Sequence, residues 1–180
     1  MQGGTVYGPM YFQSNRDTSS SNPPLQAYSS SGGAIMSFHR GGVFAINMGL
    51  DSDNVFRIGG WSASTNRLQM DMSGNLTMAG NVTAYSDERL KKDWAPIYEG
   101  FIEHLAAIRA GTYTRIDSGE RQAGVSAQAM REILPEVVSE DNEGTLALAY
   151  GNAALVAAVE LAKELVKIKQ ELAELRSKFN

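Results

Sequence analysis

The sequence predicts an α+β protein. A small β-rich N-terminal segment, residues 1–85, is followed by a mixed α/β domain, residues 86–180, which ends in a long helix. Residues 1–85 hold four of the 16 basic and four of the 20 acidic residues, and all of these are Arg or Asp. Lys and Glu favour helices and are depleted from strands, and they occur only from residue 86 onward. Turn-separated apolar runs in the first part and a heptad pattern at the end support the same division.

The β-rich segment is predicted from short apolar and aromatic runs separated by Gly or Asn. After a loop over residues 13–33, these runs are Ala34–Phe38, Val43–Met48, Val55–Ile58 and Arg67–Met72. A short repeat follows, in which Gly74-Asn75 and Gly80-Asn81 each precede an extended alternation of apolar residues and Thr. Two copies are too few to bury an apolar face alone, so intertwined identical chains would have to supply the neighbours.

The aromatic residues of this segment allow two interpretations. They either line a carbohydrate site or form core and subunit contacts, and the large area that aromatics bury in small β units favours contacts. The residues concerned are Tyr7, Tyr11, Phe12, Tyr28, Phe38, Phe44, Phe56 and Trp61. Asp51–Asn54 is similar to the start of a calcium loop, but Phe56 and Ser62 stand where glycine and glutamate are required, so we predict no metal site there.

The second part predicts helices and two hairpins. A first helix begins after Ser86 and is limited by Pro96, and a second carries the apolar stripe from Phe101 to Ile108. A third helix over Gln128–Leu134 is terminated by Pro135. The strands of the two hairpins are Thr112–Ile116 with Gln122–Ser126, and Val137–Val138 with Leu146–Tyr150.

The last segment, residues 153–180, carries a heptad seam. Its d and a positions are Leu161, Leu165, Ile168, Leu172 and Leu175, with Phe179 following. Glutamates at g and basic residues at e have opposite signs in a parallel arrangement, which favours identical helices side by side. The alternative is a single amphipathic helix packed on its own domain. Leu at a with mixed Leu and Ile at d leaves dimer and trimer open.

Composition excludes several classes of function. The net charge of −4 argues against nucleic acid as the main partner, and the absence of cysteine removes disulfides and thiolate chemistry. No apolar run approaches the roughly 20 residues that a membrane-spanning helix needs. We find no phosphate-binding loop, no metal-ligand cluster and no paired catalytic carboxylates, so we predict no cofactor and no membrane insertion.

The stretch from Ser86 to Lys91 combines a hydroxyl with an amine five residues later. In a Ser-Lys dyad, a neutral, desolvated lysine takes the serine proton so that the oxygen can attack a carbonyl. The alternative is structural: Ser86 is a helix N-cap, Asp87 and Glu88 lie in the first turn, and Lys91 is solvated. On a continuous helix the two side chains would point about 140° apart, so the dyad requires Ser86 to lie before the helix.

Four motifs in order resemble the intramolecular chaperone domain found at the C-terminus of phage tailspikes and tail fibres such as endosialidases, a family of self-cleaving serine peptidases. The motifs are Ser86-Asp87-Glu88-Arg89-Leu90-Lys91, Gly124-Val125-Ser126-Ala127-Gln128, Leu134-Pro135-Glu136-Val137-Val138 and Tyr150 before the final helix. Trp94 departs from the family, which usually has Ile there. One apolar residue replaces another, so packing is affected rather than chemistry.

The resemblance implies a homotrimer that registers the upstream part of the same fibre chain and then releases itself between Tyr85 and Ser86. Ser86 would be the nucleophile and Lys91 its base, with Asp87, Arg89 and Gln128 supporting them. Residues 1–85 would be the distal part of a virion tail fibre or spike. The alternatives are a fibre tip that keeps this domain uncleaved, and a receptor-binding tip in which residues 1–85 contact a host surface glycan.

Overall fold

The computed structural model of the chain describes residues 8–13, 18, 21 and 23–179. The chain divides into two compact units, residues 1–86 and residues 87–180. Tyr7, one of the aromatic residues considered above, lies outside the described residues. None of the described helices is long and apolar enough to cross a membrane.

The first unit contains one antiparallel sheet of five strands in sequential order. The strands are β1 (Ala34–Arg40), β2 (Phe44–Leu50), β3 (Phe56–Gly59), β4 (Leu68–Met70) and β5 (Leu76–Met78). The predicted apolar runs and the first Gly-Asn repeat therefore form strands. The second repeat, residues 80–85, is not a strand, because the described chain offers no partner beyond the edge strand β5.

One face of this sheet is covered by the chain itself. The connection between β3 and β4 folds back so that Ser62 N–H donates to Ala45 O over 3.2 Å, and Ala45 N–H donates to Ser62 Oγ over 3.1 Å. Gly59 permits this approach, since a Cβ there would collide with the backbone oxygens of Ser64 and Thr65. Ala45 is only 1% exposed, and it is the one apolar side chain of the described first unit that is fully buried.

The second unit is mixed. It contains α1 (Phe101–Ala107), β6 (Ala110–Thr114), β7 (Arg121–Val125), α2 (Ala127–Ile133), β8 (Val138–Glu140), β9 (Leu146–Leu148) and α3 (Tyr150–Lys178), with 3-10 turns at Glu88–Leu90 and Pro135–Val137. β6 pairs with β7 and β8 with β9, so both predicted hairpins are confirmed. The α+β class with a long final helix is likewise confirmed.

The predicted first helix between Ser86 and Pro96 was wrong. Only one 3-10 turn forms, over Glu88–Leu90, and Lys91 after it is already extended. Asp93 adopts a left-handed φ of 56°, which a helix cannot contain, and Pro96 bars a restart of the helix just beyond it. The family motif therefore lies in a turn followed by irregular chain.

The core of the second unit joins elements distant in sequence. Its buried members are Phe101, Met130, Leu134, Val137 and Ala153. Ser126 caps α2 by accepting a hydrogen bond from Ala129 N–H, which fixes the start of the helix that carries Met130. Through Ala153, the first turns of α3 also contribute to this core. α3 has 29 residues and is about 43 Å long at 1.5 Å per residue, so most of it extends past this attachment.

Candidate functional site

The proposed cleavage site lies in exposed chain with no regular structure. Tyr85 is 100% exposed and Ser86 is exposed beside it. Ser86 precedes the 3-10 turn, as the dyad requires, but it is not the cap. Asp87 is the N-cap, because its Oδ1 accepts a hydrogen bond of 2.9 Å from Arg89 N–H.

Asp87 and Arg89 form a closed pair within the turn. The Arg89 guanidinium donates from Nε to both carboxylate oxygens over 3.0 Å and from Nη2 to Oδ2 over 2.5 Å. These hydrogen bonds lower the pKa of Asp87 below its usual value of 3.8, and the charge of Lys91 lowers it further. The same pairing raises the pKa of Arg89. Asp87 is therefore ionised at neutral pH, and Arg89 is its main partner.

Lys91 ends the turn on the side opposite to Ser86. Its backbone N–H donates to Glu88 O over 2.9 Å, and its Nζ lies 5.5 Å from the centre of the Trp94 ring. Lys91 and Trp94 are both exposed in the single chain. A lysine takes a proton from serine only in its neutral form, which burial favours. The single chain therefore places Ser86 and Lys91 at the two ends of one short turn but leaves Lys91 in contact with solvent.

Gln128, predicted as a supporting residue, lies exposed in the first turn of α2. Its Oε1 accepts a hydrogen bond of 3.3 Å from the hydroxyl of the capping Ser126. Because the chain divides between Ser86 and Asp87, Ser86 belongs to the first unit and Gln128 to the second. Within the second unit, Gln128 acts on the helix cap.

Sequence reasoning missed a tyrosine cluster at the base of α3. A Cβ on Gly124 would lie 3.1 Å from the Tyr150 hydroxyl oxygen and 3.4 Å from that of Tyr113, so glycine is what lets both rings approach β7. Burial raises the pKa of Tyr150, and a hydrogen bond with Tyr113 adds to this effect. The only signal in the sequence was a glycine in one motif and a tyrosine in another. The cluster ties the β6–β7 hairpin to the start of α3.

The described residues hold no group of three or more His, Asp or Glu side chains that is arranged to bind a metal ion. The acidic pair Asp51 and Asp53 is instead neutralised by Arg57, whose Nη1 lies 2.9 Å and 2.7 Å from their oxygens. The hydrogen bond from Arg57 lowers the pKa of Asp53 to about 2. In the loop Asp51–Asn54, for which we predicted no metal site, both aspartates thus bind the Arg57 guanidinium.

The heptad seam of α3 is not covered by the described part of its own chain. The side chains at the five predicted positions, Leu161, Leu165, Ile168, Leu172 and Leu175, are between 45% and 52% exposed. The described chain thus differs from the alternative in which this helix packs on its own domain, since only the first turns of α3 reach the core.

Residues 86–139 match the family model described as chaperone of endosialidase. The predicted family resemblance is confirmed. The match begins at Ser86 and includes the turn, α1, the β6–β7 hairpin and α2, whereas α3 lies beyond it. The chain is also 28% identical over 147 residues to Long tail fiber protein Gp37 of Salmonella phage S16. The alignment covers 73% of this chain and 19% of that protein, so the chain corresponds to about a fifth of the relative's length.

Proposed function

We propose that this chain is the end of a phage tail fibre whose chaperone domain assembles three copies in register and then releases itself by cleavage between Tyr85 and Ser86. The protein would be part of the virion tail before and after release of the domain. Its partners are other copies of itself and the fibre chain upstream. The proposal takes its family from residues 86–139 and its setting from the tail-fibre relative.

The observation that carries the cleavage proposal is the position of the Tyr85–Ser86 peptide bond. The boundary between the two compact units falls after Ser86, and the family match starts at Ser86. A cut before Ser86 would therefore separate the first unit, except for Ser86 itself, from the chaperone domain, and it would break none of the described strands or helices. Tyr85 is exposed, so the bond is accessible.

The chemistry we propose is acyl transfer followed by hydrolysis. Lys91, when neutral, takes the Ser86 hydroxyl proton, and Oγ attacks the Tyr85 carbonyl carbon. The bond from that carbon to the Ser86 nitrogen breaks, and the nitrogen takes up a proton to become a free amine. The resulting ester joins Tyr85 to Ser86 Oγ. Water then hydrolyses this ester, leaving a Tyr85 carboxylate and restoring the serine hydroxyl.

Exposure of Lys91 in the single chain makes this reaction dependent on assembly. A neighbouring copy that covers Lys91 and Trp94 would desolvate the amine and favour its neutral form. The Arg89 guanidinium, by binding Asp87, partly offsets the carboxylate charge that interacts with Lys91. Cleavage would thus follow registration of the chains. Because α3 would leave with the released domain, dissociation of the coiled coil would then be unable to start unfolding of the fibre.

The test is intact-mass analysis of the denatured full chain beside Ser86→Ala, Lys91→Ala and the neighbouring control Lys92→Ala. We expect the parent and Lys92→Ala to give two fragments that meet at Tyr85 and Ser86, and the other two variants to stay whole. Lys92 is a suitable control because it is adjacent, basic and exposed. An assembled parent chain that stays whole would contradict cleavage.

The second candidate is a tip that assembles in the same way and keeps its chaperone domain. The observation in its favour is that the turn is built around the Asp87–Arg89 pair while Lys91 remains exposed, which is the arrangement of a purely structural motif. An uncleaved but trimeric parent chain in the experiment above would establish this candidate.

A further inference from the structure

The sheet of the first unit has one face that carries apolar residues on all five strands. Cross-strand partners share a face, and alternate residues along a strand return to it. One row across all five strands is Met36, Met48, Ile58, Leu68 and Met78, and the next is Ala34, Leu50, Phe56, Met70 and Leu76. Phe38 and Ile46 bring the set to twelve positions, which we call the apolar face. The next pair on the same side, Arg40 with Phe44, lies at the turn between β1 and β2.

None of the residues that the structure describes covers the apolar face in the single chain. Met36, Phe38, Leu50, Met70, Leu76 and Met78 are exposed, and the remaining six side chains are half-buried. The opposite face is different in kind. It carries the Ser37–Asn47 hydrogen bond of 2.8 Å and the Arg57 ion pairs, and the β3–β4 connection covers it over Ala45. The chain thus supplies a cover for its polar face and none, among the described residues, for its apolar face.

We infer that the apolar face is an interface between copies of this chain, so that the sheets of the assembled protein pack on one another through a contact separate from the α3 seam. A single layer with one bare apolar face needs a second layer to be stable. The inference rests on the proposed assembly, in which α3 holds identical chains parallel and keeps their sheets at high effective concentration.

The chemistry of the apolar face suits an identical partner. None of its twelve residues is charged, and the one charged strand residue on the same side, Arg40, lies at its edge beside the β1–β2 turn, so apposing two copies brings no like charges together within the apolar face. Four of the twelve are methionines, whose flexible side chains fill irregular gaps between surfaces. Sheets held in this way would remain together after the chaperone domain has left. In a fibre held together by α3 alone, the sheets would separate at that point.

Thiol labelling of the full chain tests the inference, because the chain has no cysteine of its own. The pair of variants is Met70→Cys on the apolar face and Gln69→Cys, its neighbour on the opposite face of β4. In the single chain Met70 is exposed and Gln69 is half-buried, so an unassembled chain would label faster at position 70. Covering by another copy reverses that order.

We expect N-ethylmaleimide to react at least tenfold more slowly with Met70→Cys than with Gln69→Cys in chains that light scattering shows to be assembled. Adding Leu165→Glu and Leu172→Glu, which disrupts the α3 seam, should restore the faster reaction at position 70. Leu76→Cys with Thr77→Cys repeats the comparison on β5 if either β4 variant fails to assemble.

Three results would overturn the inference, and they differ in what they say about the proposed function. In an assembled chain, labelling at position 70 as fast as at position 69 removes the sheet interface and leaves assembly through α3 intact. Monomeric cysteine variants that label faster at position 70 than at position 69, together with a monomeric parent chain, remove both the interface and the proposed assembly. Protection of position 70 in a monomer would show that the cover comes from the chain itself, which also refutes an interface between copies.

Discussion

Truncation of Leu165 to alanine should weaken assembly strongly, whereas truncation of its neighbour Val166 should not. Leu165 is 51% exposed and Val166 54% exposed in the single chain, so the two sites differ mainly in their heptad position. Leu165 lies at a, in the seam, and Val166 at b, outside it. Val166→Ala is therefore a control matched for exposure, helix and chemistry.

The size of the effect follows from the exposure. Leu→Ala removes three carbons, each worth about 0.8 kcal/mol on transfer from water to a core. Because Leu165 is already half-covered in the single chain, assembly buries only about the other half, so the truncation loses about half of this transfer free energy, or ~1.2 kcal/mol per chain. In the proposed trimer, three chains give ~3.6 kcal/mol, which corresponds to a factor of roughly 400 in the association constant at 1.4 kcal/mol per tenfold.

Sedimentation equilibrium of the two variants and the parent, over a range of chain concentrations, measures this difference. We expect Leu165→Ala to dissociate at concentrations where Val166→Ala and the parent remain trimeric. Equal weakening by both variants would show that the interface does not follow the heptad. No weakening by either would show that α3 does not hold the chains together, and the reasoning from the seam would then be wrong.

Three further predictions concern stability and the turn. Phe101→Ala, at a core site only 2% exposed, should cost about 3–5 kcal/mol in urea unfolding followed by helix circular dichroism, and an unchanged midpoint would contradict the assigned core. Gly49→Ala should lower the melting temperature because its Cβ would collide with the Ala34 carbonyl on β1, whereas Gly41→Ala meets open space and should not; equal melting of the two would refute the β1–β2 register. Carboxyl NMR should give Asp87 a pKa below 3.8 that returns toward 3.8 in Arg89→Ala. Since the folded pKa of Asp87 is depressed, the Asp87–Arg89 pair stabilises the turn fully above pH 3.8, and this stabilisation is lost as the pH falls through the lowered pKa. Identical Asp87 titrations in the parent and in Arg89→Ala would exclude the pair.

The elements with strong local signals were predictable from the sequence. Alternating apolar runs between turn residues gave β1 to β4, and the stripe from Phe101 to Ile108 gave α1 within one residue of its end. The heptad spacing predicted the length of α3 as well as its uncovered seam. In these cases periodicity along the chain is sufficient, since each element's own pattern determines its conformation.

The turn after Ser86 was not predictable in the same way. The acidic residues and Leu90 favour a helix, but the left-handed Asp93 and the Asp87 cap are properties of a backbone path that composition does not report. The Tyr113–Tyr150 cluster depends on a hairpin that brings Gly124 beneath both rings, and therefore on contacts distant in sequence. The apolar face could be read only after the strand registers were known, because a shift of one residue would move every side chain to the other face.

The sequential order of β1 to β5 has a consequence for the speed of folding. Each strand pairs with the strand that follows it, and the widest pairing in the sheet joins Ala34 to Leu50. Contacts this close in sequence close small loops, and proteins rich in them fold fast. Each chain is therefore able to form its own hairpins before it meets another copy. If copies associate through the apolar face as inferred, the slow, concentration-dependent step in refolding is the meeting of formed sheets rather than the threading of strands between chains.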